Sequence, residues 1–493
     1  MINFSDTICA PASSTGGAIS IVRVSGEDCF AIVDRLLKCR NGNLSESRGY
    51  TMKRGQFSDV DDVVVGVFRG PNSYTGEDSV EIYCHASSYI VGRILEMLVE
   101  EGCRLAEAGE FTKRAYLNGK MDLAQAEAVA DVIAASSAAQ HKLAMNQLRG
   151  GYSAELRGIR EQMLQLAALM ELELDFSEEE VEFADRTLLL GLVKKAIERC
   201  ESLSDSFRLG NAIKNGVPVA IVGAPNSGKS TLLNALLQDE RAIVSDIPGT
   251  TRDTIEECCV IDGVLFRFID TAGIRDASDE IEKLGIERAF AKIREAEVVL
   301  GVVDCSDSES SASDNSNMDS IAQCVCEDAR DGQMSDALEN AKMIIEKVDL
   351  KSQKLLLLCN KIDAFEGDLA CNKNVIDINS FVSCADNACN NVKTLKISAK
   401  EGFGLDELRN ELGEMSGISS TSDNLVTSAR HAQALRSAAE SLHEVENGLG
   451  LLLPTDLIAE DLRSALNALG SITGEISTDE VLGEIFGKFC IGK

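Results

Sequence analysis

Short apolar runs with a strand-like alternation characterise the first 118 residues of the chain. Residues 18–24, 63–68 and 79–83 are rich in β-branched residues and predict strands, whereas residues 89–101 carry apolar residues at helical spacing. This mixture of short strands and one helix indicates a small α/β domain at the N-terminus.

The apolar pattern changes after Lys120. Between Leu123 and Phe207 apolar residues recur every three or four positions without a proline, which predicts long helices packed against one another. Helical spacing returns after about Gly417. The predicted helices of this return are residues 429–449, 455–469 and 478–489.

A different pattern separates the two helical stretches. From Gly216 onward, short apolar runs and glycine-rich turns alternate with helical segments, which is typical of a parallel, doubly wound sheet. The predicted strands are residues 217–222, 265–269, 298–303, 355–359 and 395–397.

These patterns predict a multidomain fold that combines α/β and all-α domains. The domain with the doubly wound sheet is inserted into a helical domain built from both flanking segments. The predicted domains are an N-terminal domain at residues 1–119, the first helical part at 120–215, the inserted domain at 216–416, and the second helical part with the C-terminal tail at 417–493.

The charge balance limits the partners of the chain. The 80 Asp and Glu residues against 48 Lys and Arg residues give a net charge of −32, so the chain as a whole repels polyanions and is not a non-specific nucleic-acid coat. Any RNA contact must therefore be local. Two polar stretches add to the acidity, residues 304–349 with 12 acids against 3 bases and residues 367–391, and both are interpreted as loop insertions.

The cysteines and the N-terminus indicate the compartment. The 16 cysteines are scattered without a CxxC pair, which favours reduced thiols over a disulfide framework or a structural zinc site. The first residues lack a basic region followed by an apolar core, and no apolar run approaches the ~20 residues that span a bilayer. We therefore expect a soluble cytoplasmic protein.

A phosphate-binding motif follows the first strand of the inserted domain. Residues 223–230, GAPNSGKS, fit the pattern GxxxxGK[ST] and stand between a predicted strand and a predicted helix at residues 231–237. In such a loop the backbone N–H groups surround phosphate oxygens, the ammonium of Lys229 contacts the β and γ phosphates, and the hydroxyl of Ser230 can bind Mg²⁺. The other residues assigned to the loop are Asn226, Ser227, Gly228 and Thr231.

Three further elements distinguish a GTPase. An Asp-Thr-Ala-Gly run ends the strand at 265–269, where an Asp reaches the metal through water and a glycine N–H senses the γ-phosphate. An Asn-Lys-Ile-Asp run ends the strand at 355–359, where a carboxylate accepts both N–H donors of guanine, and a Ser-Ala-Lys run closes the base pocket. The set resembles that of translation-factor-type GTPases and predicts GTP binding. Its residues are Asp270, Thr271, Ala272, Gly273, Asn360, Lys361, Ile362, Asp363, Ser398, Ala399 and Lys400.

A switch segment lies between the phosphate loop and Asp270. It ends on the pair Thr250-Thr251, and by the same resemblance Thr251 completes the Mg²⁺ shell beside Ser230. The residues assigned to GTP binding in this segment are Ser245, Asp246, Ile247, Pro248, Gly249, Thr250 and Thr251.

The catalytic device differs from that of Ras-like proteins, because Ile274 stands where they carry a water-orienting glutamine. An amide oxygen at Asn226 could hold a monovalent cation beside the β/γ bridge, in place of an arginine finger. Glu282 could accept a hydrogen bond from the attacking water. The alternatives are an ordinary turn residue at Asn226 and a solvated surface carboxylate at Glu282.

Segments from end to end of the chain resemble one family, the tRNA modification GTPases called MnmE or TrmE. The chain also ends on Phe489-Cys490-Ile491-Gly492-Lys493, which places a thiol near the C-terminus. The resembling segments are residues 17–26 (GAISIVRVSG), 73–78 (SYTGED), 109–112 (GEFT) and 117–126 (LNGKMDLAQA).

The resemblance implies an N-terminal domain that dimerises and binds a tetrahydrofolate derivative, either the 5,10-methylene or the 5-formyl form, and a GTPase domain activated by K⁺. It also implies a flavoprotein partner, MnmG or GidA, which carries the FAD and forms a heterotetramer with the homodimer. Together they add an aminomethyl-type (carboxymethylaminomethyl) group at C5 of the wobble uridine of certain tRNAs.

The resemblance also implies roles for particular residues. Lys229 and Glu282 would serve GTP hydrolysis, and Cys490 is the suggested reactive thiol. Without the resemblance, Arg23 and Lys120 could be surface cations, Glu81 an outward strand residue and Cys490 a packed small hydrophobe. The implied folate contacts are Arg23, Glu81, Lys120 and Lys493, and the implied K⁺ ligands are Asn226, Ser245, Ile247 and Thr250.

The chain departs from the family pattern in two places near the implied folate region. Ala86-Ser87-Ser88 replaces the usual glycine pair after His85, and Ala108 stands where a proline is common. A different class of protein, a GTP-switched ribosome-assembly factor that binds RNA, is the alternative. Such factors carry basic RNA-binding appendages, whereas this chain is acidic and has a folate-type N-terminal domain.

Overall fold

A computed structural model of the chain describes residues 6–13, 16–39, 42–175, 186–238, 257–269, 294–306, 336–350, 352–364, 392–417, 424–451, 453–475, 479–487, 489–490 and 492. The chain divides into two compact units. The first unit comprises Met1–Ile133, Ala144–Ser204 and Arg430–Lys493, and the second unit comprises Ala134–Leu143 and Asp205–Ala429. The bounds of the four domains predicted from the sequence stay predictions.

The N-terminal part of the first unit is a seven-stranded sheet with order β3-β4-β5-β6-β2-β1-β7, in which only β1 and β7 are parallel neighbours. Alternate residues of its strands, such as Val63, Val65 and Val67, are buried beneath two helices. The elements are β1 (Ile8–Pro11), β2 (Ile19–Ser25), α1 (Cys29–Leu36), β3 (Leu37–Cys39), β4 (Thr51–Phe57), β5 (Asp61–Phe68), β6 (Ser79–His85), α2 (Ser88–Glu100), β7 (Arg104–Leu105) and α3 (Glu110–Leu117).

Helices dominate the described chain after residue 120. Their apolar residues are buried at spacings of three and four, as in Leu156, Ile159, Met163, Leu166 and Met170 of α6. The helices are α4 (Leu123–Ala134), α5 (Ala138–Leu148), α6 (Gly151–Asp175), α7 (Arg186–Asp205), α8 (Phe207–Asn215), α9 (Lys229–Gln238), α10 (Asp336–Lys347), α11 (Leu405–Ser416), α12 (Ala429–Gly450), α13 (Thr455–Thr473) and α14 (Asp479–Phe486).

The second unit contains a six-stranded sheet with order β13-β12-β11-β8-β10-β9. Helices α9 and α11 pack on one face through residues such as Leu233 and Leu408, and α10 packs on the other face through Ile344. The strands are β8 (Val217–Gly223), β9 (Glu257–Ile261), β10 (Val264–Phe268), β11 (Val298–Asp304), β12 (Lys354–Asn360) and β13 (Val392–Lys396). The fold is therefore an N-terminal α/β domain and a helical domain from two chain segments, with an inserted doubly wound domain.

The structure corrects the predicted parallel sheet at one edge. Strand β9 pairs antiparallel with β10, so the sheet is mixed. The two strands are joined by Asp262 and Gly263, both with positive φ (50° and 77°), and an Asp-Gly pair is a strong hairpin signal because glycine adopts this conformation without strain. Strand β4 was also missed, since only Gly55 and Phe57 of it are buried and no apolar run marks it.

No helix within the described residues is both long and apolar enough to cross a membrane.

Candidate functional site

The phosphate-loop sequence forms the turn between β8 and α9, at the carboxyl end of a central strand. Gly228 has a φ of +97°, and a β-carbon there would lie 2.2 Å from the side-chain nitrogen of Asn360. Asn226, which is exposed, also has a positive φ of 63°. Glycine is therefore required at 228 by both conformation and space, and the loop passes directly over the Asn360 side chain.

Lys229 and Ser227 present polar atoms to this loop. The Lys229 ammonium donates to the carbonyl oxygens of Gly223 (2.9 Å) and Ala224 (2.7 Å), and burial lowers its pKa below the usual lysine value. The Ser227 hydroxyl is buried, and the described residues offer it no hydrogen-bond partner. A half-buried ammonium and a buried hydroxyl without a partner among the described residues are the chemistry that suits a phosphate oxygen.

Asn360 joins the phosphate loop to the predicted base pocket. Its side-chain Nδ2 donates to the carbonyl oxygen of Ser227 (2.8 Å), and its Oδ1 accepts from the backbone N–H of Ala399 (3.0 Å). The residue is only 2% exposed. The amide thus uses both of its ends to fix the distance between the two loops, a role that the sequence pattern did not indicate.

The base-pocket residues themselves form a compact turn. Asp363 lies in a short 3₁₀ turn (Ile362–Ala364), where its Oδ1 accepts from the Ser398 hydroxyl (2.6 Å). The Ser398 hydroxyl oxygen also accepts from the backbone N–H of Glu401 (3.2 Å). Asp363 is exposed, so its remaining carboxylate oxygen is available to a ligand. Lys400 is exposed, and its ammonium lies 3.7 Å from Glu401.

Asp304 is a residue of this site that the sequence analysis did not single out. It ends β11 in register with Asn360, and its carboxylate lies 2.5 Å from the ammonium of Lys361. Burial alone would raise the pKa of Asp304, but hydrogen bonds from Lys361 and Ser306 hold it below its usual value. The ion pair fixes Lys361, whose φ is 65°. The sequence feature that could have identified Asp304 is the position of an acid at the end of an apolar strand.

The switch residues and the residue proposed to orient water lie outside the described residues, as do the Asp-Thr-Ala-Gly run and the last residue of the chain. The residues concerned are Ser245, Asp246, Ile247, Pro248, Gly249, Thr250, Thr251, Asp270, Thr271, Ala272, Gly273, Ile274, Glu282 and Lys493.

A second group of polar residues lies in the N-terminal sheet. Arg23 of β2 and Glu81 of β6 are partners in register, and the guanidinium donates twice to Glu81 Oε1, at 2.9 and 3.1 Å. The guanidinium carbon lies 5.3 Å from the ring centroid of Tyr74 and 5.5 Å from that of Phe111. Two rings and one carboxylate thus hold Arg23 in place, and the rings add cation–π attraction.

The C-terminal tail reaches this group within the first unit. The Gly492 carbonyl oxygen lies 3.5 Å from an Arg23 guanidinium nitrogen, and the backbone N–H of Gly109 donates to the carbonyl oxygen of Cys490 at 3.4 Å. Gly492 has a φ of +97°, and a β-carbon there would lie 1.9 Å from the carbonyl oxygen of Pro11. Only glycine allows this approach of the tail to β1. Cys490 is exposed.

A cavity of about 200 Å³ lies where Arg23, Tyr74 and the tail meet. Its other walls are apolar, so it combines a cation, an aromatic ring and aliphatic groups, which suits an anionic ligand with a flat ring. The volume is below the roughly 300–1,000 Å³ of a site that encloses a whole cofactor, so it accounts for a part of such a ligand. The lining residues are Ala12, Arg23, Tyr74, Val129, Ile133 and Gly492.

Lys120 contacts the loop that carries Tyr74. Its ammonium donates to the carbonyl oxygen of Pro71 (2.8 Å), and its aliphatic chain lies under Gly76. Both contacts belong to the loop that carries Tyr74. The sequence analysis quoted Tyr74 and Phe111 in family-like segments but gave them no role, because their contacts with Arg23 join distant parts of the chain.

A buried ionic network supports the Arg23 region. Arg114 of α3 is fully buried and donates to Asp6 Oδ1 (2.6 Å), to Glu110 (3.1 Å) and to Glu77 (3.2 Å). Glu77 in turn accepts from the Ser25 hydroxyl (2.8 Å). Helix α3 also supplies Phe111, so the network fixes one of the two rings that contact Arg23.

These features define a class of protein. A doubly wound sheet, a phosphate loop at the end of β8 and the Asn360–Asp363 turn at the end of β12 are the parts of a phosphate-loop GTPase. The family described as MnmE helical domain matches residues 123–490, and the family described as GTP-binding protein TrmE N-terminus matches residues 7–120. The chain belongs to the MnmE family.

Curated relatives of this family match over the whole chain. The protein called tRNA modification GTPase MnmE from Porphyromonas gingivalis is 48% identical over 99% of this chain and 98% of its own length. The protein of the same name from Flavobacterium johnsoniae is 46% identical over 100% of both chains.

Among solved structures, a GTP-binding protein from Sulfolobus solfataricus in complex with GDP is 18% identical over 53% of this chain and 68% of its own, with a TM-score of 0.26. A score of this size carries no conclusion about this chain.

Proposed function

We propose that this protein hydrolyses GTP and, with a flavoprotein partner, adds an aminomethyl-type group at C5 of the wobble uridine of certain tRNAs. The observation that carries the GTPase part is the Asn360 side chain, which bonds both the phosphate loop and the Ser398–Lys400 loop. The tRNA part is supported by relatives named tRNA modification GTPases that match over the whole chain.

In the proposed GTP site, Lys229 neutralises the β and γ phosphates and Asp363 accepts from guanine. The Ser230 hydroxyl and Thr251 are the proposed Mg²⁺ ligands, since Mg²⁺ prefers hard oxygen donors. The proposed K⁺ ligands are the side chain of Asn226 with Ser245, Ile247 and Thr250, partly through backbone oxygens. Glu282 would accept a hydrogen bond from the attacking water, in the role that Ile274 cannot fill.

In the proposed folate site, Arg23, Lys120 and Lys493 would bind the anionic part of a tetrahydrofolate derivative, and Glu81 would orient Arg23. The support is the Arg23 cavity, which joins a guanidinium to the Tyr74 ring and an apolar wall. When bound, the 5,10-methylene or 5-formyl form would supply a one-carbon unit. Cys490 is the proposed reactive thiol, and its backbone contact with Gly109 keeps it near α3.

The protein would act in the cytoplasm as a homodimer that joins the flavoprotein MnmG in a heterotetramer. One face of the N-terminal sheet supports the homodimer. Its exposed apolar side chains include Ile19 (64% exposed), Met52 (64%) and Val64 (38%), and Val64 is in register with Tyr83 of the next strand. An apolar face of this kind is typical of a subunit contact.

The test of the GTPase mechanism compares hydrolysis in potassium and in sodium. We expect steady-state hydrolysis to fall strongly when potassium is replaced by sodium, because the cation proposed at Asn226 is potassium-sized. Glu282→Ala should lose most of the rate in potassium while still binding GTP.

Lys400→Ala is a matched control, because Lys400 lies in the proposed base pocket. It takes no part in the proposed K⁺ site or in the orientation of the attacking water. It should keep the potassium dependence. Equal rates of wild type in both salts, or a full rate in Glu282→Ala, would contradict the mechanism.

A further inference from the structure

The joint between α5 and α6 is locally basic in a strongly acidic chain. From Ala144 to Arg160 the sequence holds three arginines and one acid, Glu155, although the whole chain has a net charge of −32. A chain with this acid excess can hold a polyanion only where the local charge is reversed. We define Arg149 and Arg157 as the elbow arginines.

Helix α4 supports the joint between α5 and α6, which we call the elbow. Helix α5 ends at Leu148, Gly150 has a φ of +83°, and α6 begins at Gly151. The Leu148 carbonyl oxygen accepts from Gln125 Nε2 (3.0 Å). Gln125 is itself held at the start of α4, where it exchanges hydrogen bonds with Asp122 at 2.9 and 3.0 Å.

Both elbow arginines are exposed to solvent. Arg149 is exposed, and none of the described residues pairs with its side chain. The Arg157 side chain is 56% exposed, and its nearest carboxylate oxygen, in Asp122, is 4.0 Å away. The one acid of the segment is turned inward, because Glu155 is 9% exposed and pairs with Arg199.

The chemistry of the elbow arginines suits a nucleic-acid backbone. Arg157 lies six residues into α6, about 9 Å along the helix from its start at the elbow. A guanidinium group can bond two phosphate oxygens at once, and its charge does not depend on pH in the physiological range. Phosphate contacts of this kind position a nucleic acid without selecting its sequence.

We infer that the elbow arginines, Arg149 and Arg157, bind phosphates of the tRNA backbone. This inference rests on the proposed function, because it names the surface by which the tRNA of that function is held. Neither residue belongs to the GTP site or to the Arg23 cavity.

The test measures binding of an unmodified tRNA transcript to the full-length protein over a series of salt concentrations. The double variant Arg149→Ala/Arg157→Ala should bind about tenfold more weakly at low salt. Its plot of log affinity against log salt should be shallower by roughly 1.5, since two phosphate contacts are lost. Arg149→Lys/Arg157→Lys keeps both charges and should retain most of the salt dependence.

Arg463→Ala is the matched control, because Arg463 is a 67% exposed arginine of α13 in the same unit. It should bind tRNA like the wild type, and all variants should hydrolyse GTP at the wild-type rate without tRNA. Wild-type affinity and slope in the double alanine variant would overturn the inference and leave the proposed function intact. A wild-type protein that binds no tRNA would instead contradict the proposed function.

Discussion

Asn360 shows how one buried side chain organises the nucleotide site. It lies beneath Gly228, donates to Ser227 and accepts from Ala399. The sequence pattern predicted that the Asn360–Asp363 turn recognises guanine. Both polar atoms of the Asn360 side chain, however, form hydrogen bonds within the protein. We therefore expect Asp363, whose carboxylate is exposed, to discriminate the base.

We predict that Asp363→Asn changes the preferred base from guanine to xanthine, because an amide replaces one acceptor by a donor. The substitution keeps an Oδ1 atom that can accept from the Ser398 hydroxyl, so the turn should persist. Competition binding of GTP and XTP measures the preference.

Asn360→Ala serves as the control, since loss of the link between the two loops should weaken both nucleotides alike. An unchanged preference in Asp363→Asn would mean that another group recognises the base.

At the scale of elements, the start of α5 is held by more contacts than its sequence suggests. Ser137 and Gln140 form a capping box, in which the Gln140 backbone N–H donates to the Ser137 hydroxyl (3.2 Å) and Gln140 Oε1 accepts from the Ser137 backbone N–H (3.0 Å). Gln140 Nε2 also donates to the carbonyl oxygen of Lys214, near the end of α8 (2.9 Å). The backbone N–H of Ala139 donates to Gly263 in the β9–β10 turn (3.1 Å).

We predict that Gln140→Ala lowers the local stability of the first turn of α5 by about 1 kcal/mol, in the range of a lost cap. Hydrogen exchange of the peptide covering residues 136–148 should then be about fivefold faster. Gln140→Glu keeps the acceptor of the capping box but turns a carboxylate oxygen toward the carbonyl oxygen of Lys214, so it should also lower the stability of this turn. Exchange in Gln140→Ala at the wild-type rate would show that the capping box adds nothing.

The elements that could be predicted are those with a clear apolar pattern. The five strands predicted in the inserted domain and the long helices of both flanks follow from buried residues at regular spacing, as in Val298, Leu300 and Val302 of β11. Strand β4 buries only Gly55 and Phe57 and leaves no such signal. The pair Asp262-Gly263 is a local signal of the hairpin β9–β10. A prediction based on apolar runs alone did not use this signal.

The same distinction applies to the candidate sites. The phosphate loop and the Asn360–Asp363 turn could be found because each is a contiguous motif after a strand. The contacts of Arg23 with Tyr74, Phe111 and Gly492 could not, since they depend on sheet register and on the return of the tail. The register of Asp304 with Asn360 likewise depends on the pairing of β11 with β12.

At the scale of the whole molecule, two kinds of site belong to one chain. The second unit carries the phosphate loop and the base pocket, and the first unit carries the Arg23 cavity with the C-terminal tail. A GTPase alone would need only the second unit. We therefore expect this protein to use both units to modify the wobble uridine of tRNA.

Mass spectrometry of the wobble uridine, in tRNA from cells lacking the gene, tests this expectation. We predict that the aminomethyl-type group at C5 is absent from these cells and returns with the wild-type gene. Complementation with Cys490→Ser should not restore it, although the purified variant should hydrolyse GTP normally, because Cys490 lies in the first unit. Full modification by Cys490→Ser would remove the thiol from the chemistry, and a fully modified wobble uridine in the deletion strain would contradict the proposed function.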